Sequence, residues 1–272
     1  MIKQPYLQIV AAIVCIAMFS GCTNIAVTSE SKTVDAEPSI EIAEVTDEIV
    51  PETPEPVITP EPTPVLDPNN GKDRAKIIWD RLSLYFENPL TVAAIMGNML
   101  RESRLCPWRY EGDRSEDYIK SKAVVAVINE ELLLPTYEGR SWFSHTVPSD
   151  CTGEGFGLCQ WTALGYKQLM FDYAAKTNRT IDDTEMQCDF LITTLNNKQS
   201  MVEKMEKSTK LVESVKYFIN EYEKGITHEG DLYIREQGAN CFLALYAPEY
   251  AKEEYLEMTE EEIYDILQLI DY

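Results

Sequence analysis

Gly97-Asn98-Met99-Leu100-Arg101-Glu102-Ser103, with Pro107 and the later run Gly155-Phe156-Gly157-Leu158-Cys159-Gln160-Trp161-Thr162, is the sequence on which the reading of this chain turns. Asn88 followed by Pro89 supplies a helix cap and a first-turn residue. From there the spacing predicts a helix through Ala93 and Met96 to about Ser103. Stepping back from Glu102 by three and then four residues reaches Met99 and Ile95, which puts the acid on an apolar stripe rather than on the wet face. Burial among apolar neighbours disfavours the charged form of a carboxyl group. A carboxylic acid that keeps its proton near neutral pH is what general acid catalysis requires, so Glu102 is the candidate acid. Gly97 inside this helix costs about 1 kcal/mol relative to alanine, which predicts close packing or cleft access at that point.

The pattern from residue 71 onward is helical almost throughout. Ile78, Leu82 and Tyr85, with Trp79 and Phe86, form the apolar face of a first helix, and a third helix fits about Glu116 to Leu133. From Pro135 to Trp161 the helical period fails at Gly139, Pro148, Gly153, Gly155 and Gly157, with room for short strands around Trp142-Phe143 and Phe156-Gly157-Leu158. A long irregular stretch inside a compact domain is a place to look for function. Helices resume at about Ala163 to Lys176, Thr184 to Leu195, Leu211 to Glu223, Leu232 to Tyr246 and Glu260 to Ile270, the last opening on capping-box spacing from Thr259. The fold class is therefore mainly α.

The chain starts with Met1-Ile2-Lys3, an apolar stretch from about Ile9 to Phe19, and then Ser20-Gly21-Cys22. Charge, apolar core and small residues make a secretory signal over residues 1–21. The cysteine after Phe-Ser-Gly resembles the lipobox of bacterial lipoproteins, with Cys22 as the lipidated first residue of the mature chain; an ordinary signal or a short uncleaved anchor is the alternative. Residues 22–70 read as a disordered linker. Positions 23 to 70 hold eight of the fourteen prolines and eleven acids against the single base Lys32, too little apolar surface to offset the entropy of ordering. In polyproline II form this stalk reaches at most about 150 Å. The expected location is the outer face of the cytoplasmic membrane of a Gram-positive-type bacterium. Residues 71–272 then form the catalytic domain.

The whole chain carries a formal charge of −22, and the domain without the stalk and Lys3 keeps 35 acids against 22 bases. Nucleic-acid binders carry a basic footprint, so no nucleic-acid partner is expected. Outside Cys15 and Cys22, five cysteines remain: Cys106, Cys151, Cys159, Cys188 and Cys241. Five cannot all pair internally. A bridge from Cys106 to Cys151 or Cys159 and a set of buried free thiols both stand as readings. The spacings resemble no zinc site, and neither metal nor cofactor is implied.

With both motifs in view, the domain resembles the phage tail lysozyme family, within the lysozyme-like superfamily. Gly97-Asn98, Glu102-Ser103, Pro107 and Gly155 through Thr162 carry the resemblance. Phe218, Tyr222-Glu223 and Arg235 to Ala239 add a weaker match, so that it spans about residues 74 to 248. It implies a two-lobed, mainly helical domain with a small irregular or β-hairpin segment, cleaving the glycan strands of peptidoglycan. It also implies that Glu102 protonates the glycosidic oxygen between N-acetylmuramic acid and N-acetylglucosamine. The segment between Pro107 and Gly155 is longer than a minimal member needs.

Such a hydrolase usually needs a second carboxylate, about 5 Å away as nucleophile or roughly 6.5–9.5 Å away to activate water. Asp113, Asp117, Asp150 and Glu154 are placed for this, with Glu154 favoured. A lytic transglycosylase needs no such base, because the muramoyl hydroxyl closes on its own sugar. Ser103, Gln160, Trp161, Tyr110 and Trp108 are the candidate substrate-binding residues, the aromatics by stacking on sugar faces, with core packing as their alternative role. A non-catalytic wall-binding lipoprotein is the reading from another functional class. The expected partners are peptidoglycan and the membrane.

Overall fold

The computed structural model describes residues 65–111, 119–132, 154–225 and 228–268. The expected signal, the expected lipobox cysteine Cys22, nearly all of the expected stalk, Trp142-Phe143, Cys151 and the candidates Asp113, Asp117 and Asp150 lie outside the described residues. The described part is mainly α, as the helical periods predict. None of its helices is long and apolar enough to cross a membrane.

Helix α1 spans Gly71–Ser83, and the Asn70 side chain caps it by accepting from the Lys72 and Asp73 amides. Helix α2, Pro89–Ser103, starts at the predicted Asn88-Pro89 pair, where Asn88 Oδ1 accepts from the Leu90 amide. The other end of the same amide, Asn88 Nδ2, reaches the carbonyls of Met205, Glu206 and Ser208. One residue thus starts α2 and anchors it to a distant chain segment. Helices α3, Ile119–Leu132, α4, Leu164–Thr177, and α5, Thr184–Leu195, follow the expected periods. Arg81 on α1 grips Asp189 on α5 through two bonds of 2.6 and 2.7 Å.

The second half departs from expectation in its winding. A short 3₁₀ turn leads into α6, Gln199–Glu206, and α7 is α-helical only over Leu211–Tyr217. Phe218–Glu223 continues as a π-helical turn where a plain α-helix was expected. Helix α8, Glu229–Tyr246, starts before the predicted Leu232. The short α9, Glu253–Leu256, precedes α10, Glu260–Leu267, whose Thr259–Glu262 capping box is formed in both directions.

Helices α2 and α8 form the central pair, more extensively packed than any other two among the described residues. Gly97 permits this approach: a Cβ built there would lie 2.3 Å from the Arg235 carbonyl oxygen and 2.9 Å from the Ala239 Cβ. Ile95, Met96 and Met99 are fully buried, as are Phe218 and Phe242 in the same core. The chain leaves α2 through Arg104 and Leu105, both left-handed with φ of 54° and 58°. Two successive non-glycine residues in that region cost roughly 1–2 kcal/mol each. Their position directly after Ser103 places backbone strain at the Glu102 end of the helix.

The expected strand near Phe156 is reduced to a single antiparallel bridge with Tyr110. Left-handed Gly157, φ 77°, and Gln160, φ 46°, turn the chain before a ladder can grow. Cys106, Cys159, Cys188 and Cys241 are buried free thiols, so Cys106 is not bridged to Cys159.

Candidate active site

Glu102 lies on the last turn of α2, and its surroundings differ from those the apolar stripe predicted. Its Oε1 accepts from Arg235 Nη2 on α8 at 2.5 Å, and its side chain keeps about a quarter of its surface exposed. The stripe is real, since Met99 and Ile95 are fully buried, but at Glu102 the neighbouring helix presents a guanidinium. Glu102 stands there as half of an ion pair.

Arg235 is held on three sides. Nε donates to Asp231 at 2.8 Å, Nη1 to Asn98 Oδ1 at 2.8 Å, and Nη2 to Glu102. Asn98 is itself fixed by donating to the Ala94 carbonyl at 2.7 Å, and Asp231 takes a second bond from Arg101 Nε at 2.7 Å. Burial works against the charge on Arg235, but Asp231 and Glu102 more than offset it and raise its pKa. Burial also opposes ionisation of Asp231, yet bonds to Arg235 and Arg101 hold it below the usual carboxylate range. A polar chain Arg101–Asp231–Arg235–Glu102 thus crosses the central helix pair.

Beside this chain opens a pocket of about 420 Å³, lined by Glu102, Arg235, Asp231, Gln160, Glu111 and Glu223 among others. A second pocket of about 320 Å³ shares Gln160, Thr162 and Glu223 with it and extends past Tyr166, Lys198 and Lys224. The pair is of the size and polarity of a small-ligand cleft.

Glu223 closes the π-helical turn. Its Oε1 is occluded and has no hydrogen-bond partner among the described residues. Burial, reinforced by the nearby charge of Glu102, pushes this carboxyl up to about 8, with Arg235 acting in the opposite direction. The occluded carboxyl oxygen of this pocket is thus that of Glu223.

The remaining expectations divide. Gln160 lines the pocket, with Nε2 donating to Gly157 O at 2.8 Å and Arg109 O at 3.2 Å, while Oε1 has no partner among the described residues. Ser103 is fully buried, and its Oγ lies 3.0 Å from the Met99 carbonyl and 2.9 Å from that of Leu158. It ties α2 to the Gln160 loop and does not face substrate. Trp161 is a core residue, edge-on to Phe190 and donating from Nε1 to Tyr222 Oη at 2.9 Å. Tyr110 is likewise buried, against Phe156. Trp108 packs under the Arg74 guanidinium and lines a different pocket, with Pro68, Asn69 and Asp182. Tyr110 and Trp108 line neither pocket of the pair, whereas Trp161, though packed in the core, lines the second one beside Gln160 and Tyr222. Glu154 does not line that pocket; its backbone carbonyl accepts from the buried Lys167 Nζ at 2.5 Å. Glu111 stands nearer, with Oε2 accepting from the Gly155 amide at 2.8 Å.

An acid at the end of a central helix, facing a glycine-flanked Gln-Trp-Thr loop within an all-helical core, defines the lysozyme-like class. The chain belongs to the phage tail lysozyme family, whose sequence model matches residues 73–246. No curated protein and no solved structure matches it.

Proposed function

We propose that this protein cleaves the glycan strands of peptidoglycan at the β-1,4 bond between N-acetylmuramic acid and N-acetylglucosamine, with Glu102 delivering the proton to the glycosidic oxygen. The observation that carries this reading is the convergence of Glu102, Arg235, Gln160 and Glu223 on one pocket in a chain of a lysozyme family. Gln160, with a carbonyl oxygen left over, suits the amide N–H of an acetamido sugar. Arg235 fixes the Glu102 carboxyl at the helix end. The lipobox-like Ser20-Gly21-Cys22 and the proline-rich stalk support an enzyme anchored through lipid on Cys22 and working in the wall on the outer side of the membrane.

One observation favours the transglycosylase form of the reaction. Asp231 is shared by Arg101 and Arg235, and one Glu111 oxygen is bound to the Gly155 amide, so neither is a ready base for water. Where no such base is at hand among the described residues, the muramoyl hydroxyl can close on the sugar itself.

Soluble fragments released from purified peptidoglycan by wild type and Glu102→Gln, identified by mass spectrometry, test the site and the reaction together. Wild type is expected to release muropeptides and Glu102→Gln to lose that release by about 10²–10⁴-fold. Reducing ends identify a hydrolase and anhydro ends a transglycosylase. Sedimentation with the wall and no release by either protein would leave a binding module in place of an enzyme.

A further inference from the structure

Glu102 is ion-paired with Arg235, and its proposed role requires a proton at the moment the bond breaks. The same pocket contains a second carboxyl group with the opposite surroundings. Glu223 brings an occluded, unpartnered oxygen to the wall that Glu102 and Arg235 also line. A buried carboxylate without a hydrogen-bond donor or a cation in contact is costly, whereas a neutral carboxylic acid in that position is tolerated. The widened π turn that delivers Glu223 is itself a kind of irregularity that recurs at functional sites.

We propose that Glu223 stores the proton of this site: Glu102 and Glu223 share one proton around the Arg235 guanidinium, and Glu223 holds it until the sugar chain enters. This rests on the reading of Glu102 as the group that acts on the glycosidic bond. When the glycan fills the pocket, the Glu223 carboxylic acid gives its proton to the Glu102 carboxylate, and the new charge on Glu223 is balanced by Arg235. Glu102 passes the proton to the glycosidic oxygen, and the sugar C1–O bond breaks with its electron pair leaving on that oxygen. The hydroxyl that adds to C1, from water or from the muramoyl group, releases one proton, which Glu102 takes up and returns to Glu223. Glu223 is therefore a positioning residue for the proton rather than the group touching the bond.

The charges around Glu223 fit one shared proton. Glu102 and Arg101 from α2, Asp231 and Arg235 from α8, and Arg109 and Glu111 from the loop after Cys106 line one pocket with Glu223, and Lys198 lines the adjoining one with it. The buried Cys159 thiol adjoins it, and Lys224 follows it in the chain. Burial and the Glu102 charge push its carboxyl up to about 8, while Cys159 and Tyr222, both raised chiefly by burial, stay neutral beside it. Two interacting carboxyl groups of this kind titrate as a pair.

The test is a pH titration of the full-length protein labelled with ¹³C at the glutamate carboxyl carbons, read by NMR, beside the pH profile of fragment release. One glutamate is expected to titrate near 8, to disappear in Glu223→Gln, and to move to lower pH in Glu102→Gln, which removes the neighbouring charge without touching Glu223. In Glu223→Gln the alkaline limb of fragment release moves down by about one unit or more while activity at acid pH persists. A high-titrating glutamate that survives Glu223→Gln, or an alkaline limb that stays in place, overturns the proposal, as does a uniform loss at every pH. If wild type releases nothing, the proposed activity fails, and the titration still decides whether Glu223 holds a proton.

Discussion

Two pockets of the same size, each about 420 Å³, open on this domain, and they differ in what their acids are doing. In the one lined by Trp108, Asp182 accepts from Asn129, Asp183 caps α5 through the Met186 amide, and Glu185 pairs with Arg179. Each of these carboxylates already serves the fold. In the other, Glu102 shares one cation with Asp231, while Glu223 and Gln160 each keep an acceptor without a partner. Volume, acidity and unpartnered polar atoms do not separate the two, since Thr184 Oγ1 and Trp108 Nε1 in the first also lack partners among the described residues; a carboxyl and an amide oxygen left over beside a held guanidinium do. An unpaired buried polar atom costs roughly 1–3 kcal/mol.

The contrast is broken most sharply by comparing Glu102→Gln with Trp108→Phe. Fragment release is expected to fall by about 10²–10⁴-fold in the first and to stay at the wild-type level in the second, whose effect is confined to stability. Gly97→Ala comes next. A Cβ there meets backbone at 2.3 Å, so α2 and α8 must separate; a loss of at least about 1–3 kcal/mol in urea unfolding and reduced release through displacement of Arg235 are expected.

A third measurement follows the pH. Glu223 ionises at about 8 in the folded protein against 4.5 for an ordinary glutamate, so between those values the folded chain binds the extra proton. Stability from this group is fully present below about 4.5, falls as pH rises, and is lost once pH passes about 8. Urea unfolding from pH 4 to 9 should show this decline, amounting to a few kcal/mol, and Glu223→Gln should remove it. The smallest expected effect is that of Ser103→Ala. Loss of the contact to the Leu158 carbonyl should cost about 1 kcal/mol and lower release modestly by loosening the Gln160 loop, with melting temperature and release measured together.

The helices and the end of α2 were legible because caps, periods and a glycine at a close crossing are local signals. Asn88, Thr259 and Gly97 act in the structure as their sequence positions predict. The environment of Glu102 was not legible, because the stripe that carries it says nothing of what α8 brings across, and Arg235 arrives from a segment far along the chain. The sequence match at Tyr222-Glu223 and Arg235 pointed to both residues without assigning them a task. The aromatics Tyr110 and Trp108 fall outside the two adjoining pockets for a related reason, while Trp161 serves both the core and the second pocket. An aromatic beside a motif serves the core as readily as the cleft, and only burial distinguishes the two. The π winding at Phe218–Glu223 has no periodic signature that separates it from α over so short a run.

That winding makes the reach of Glu223 a matter of counting. A π turn closes i→i+5 where an α turn closes i→i+4, so the extra residue is taken up within the turn and the residues after it keep the face that ordinary winding would give them. One residue inserted into plain α winding before Glu223 would turn its carboxyl by about 100° from the pocket that Glu102 lines, whereas the π turn absorbs such a residue and keeps the two acids on one wall.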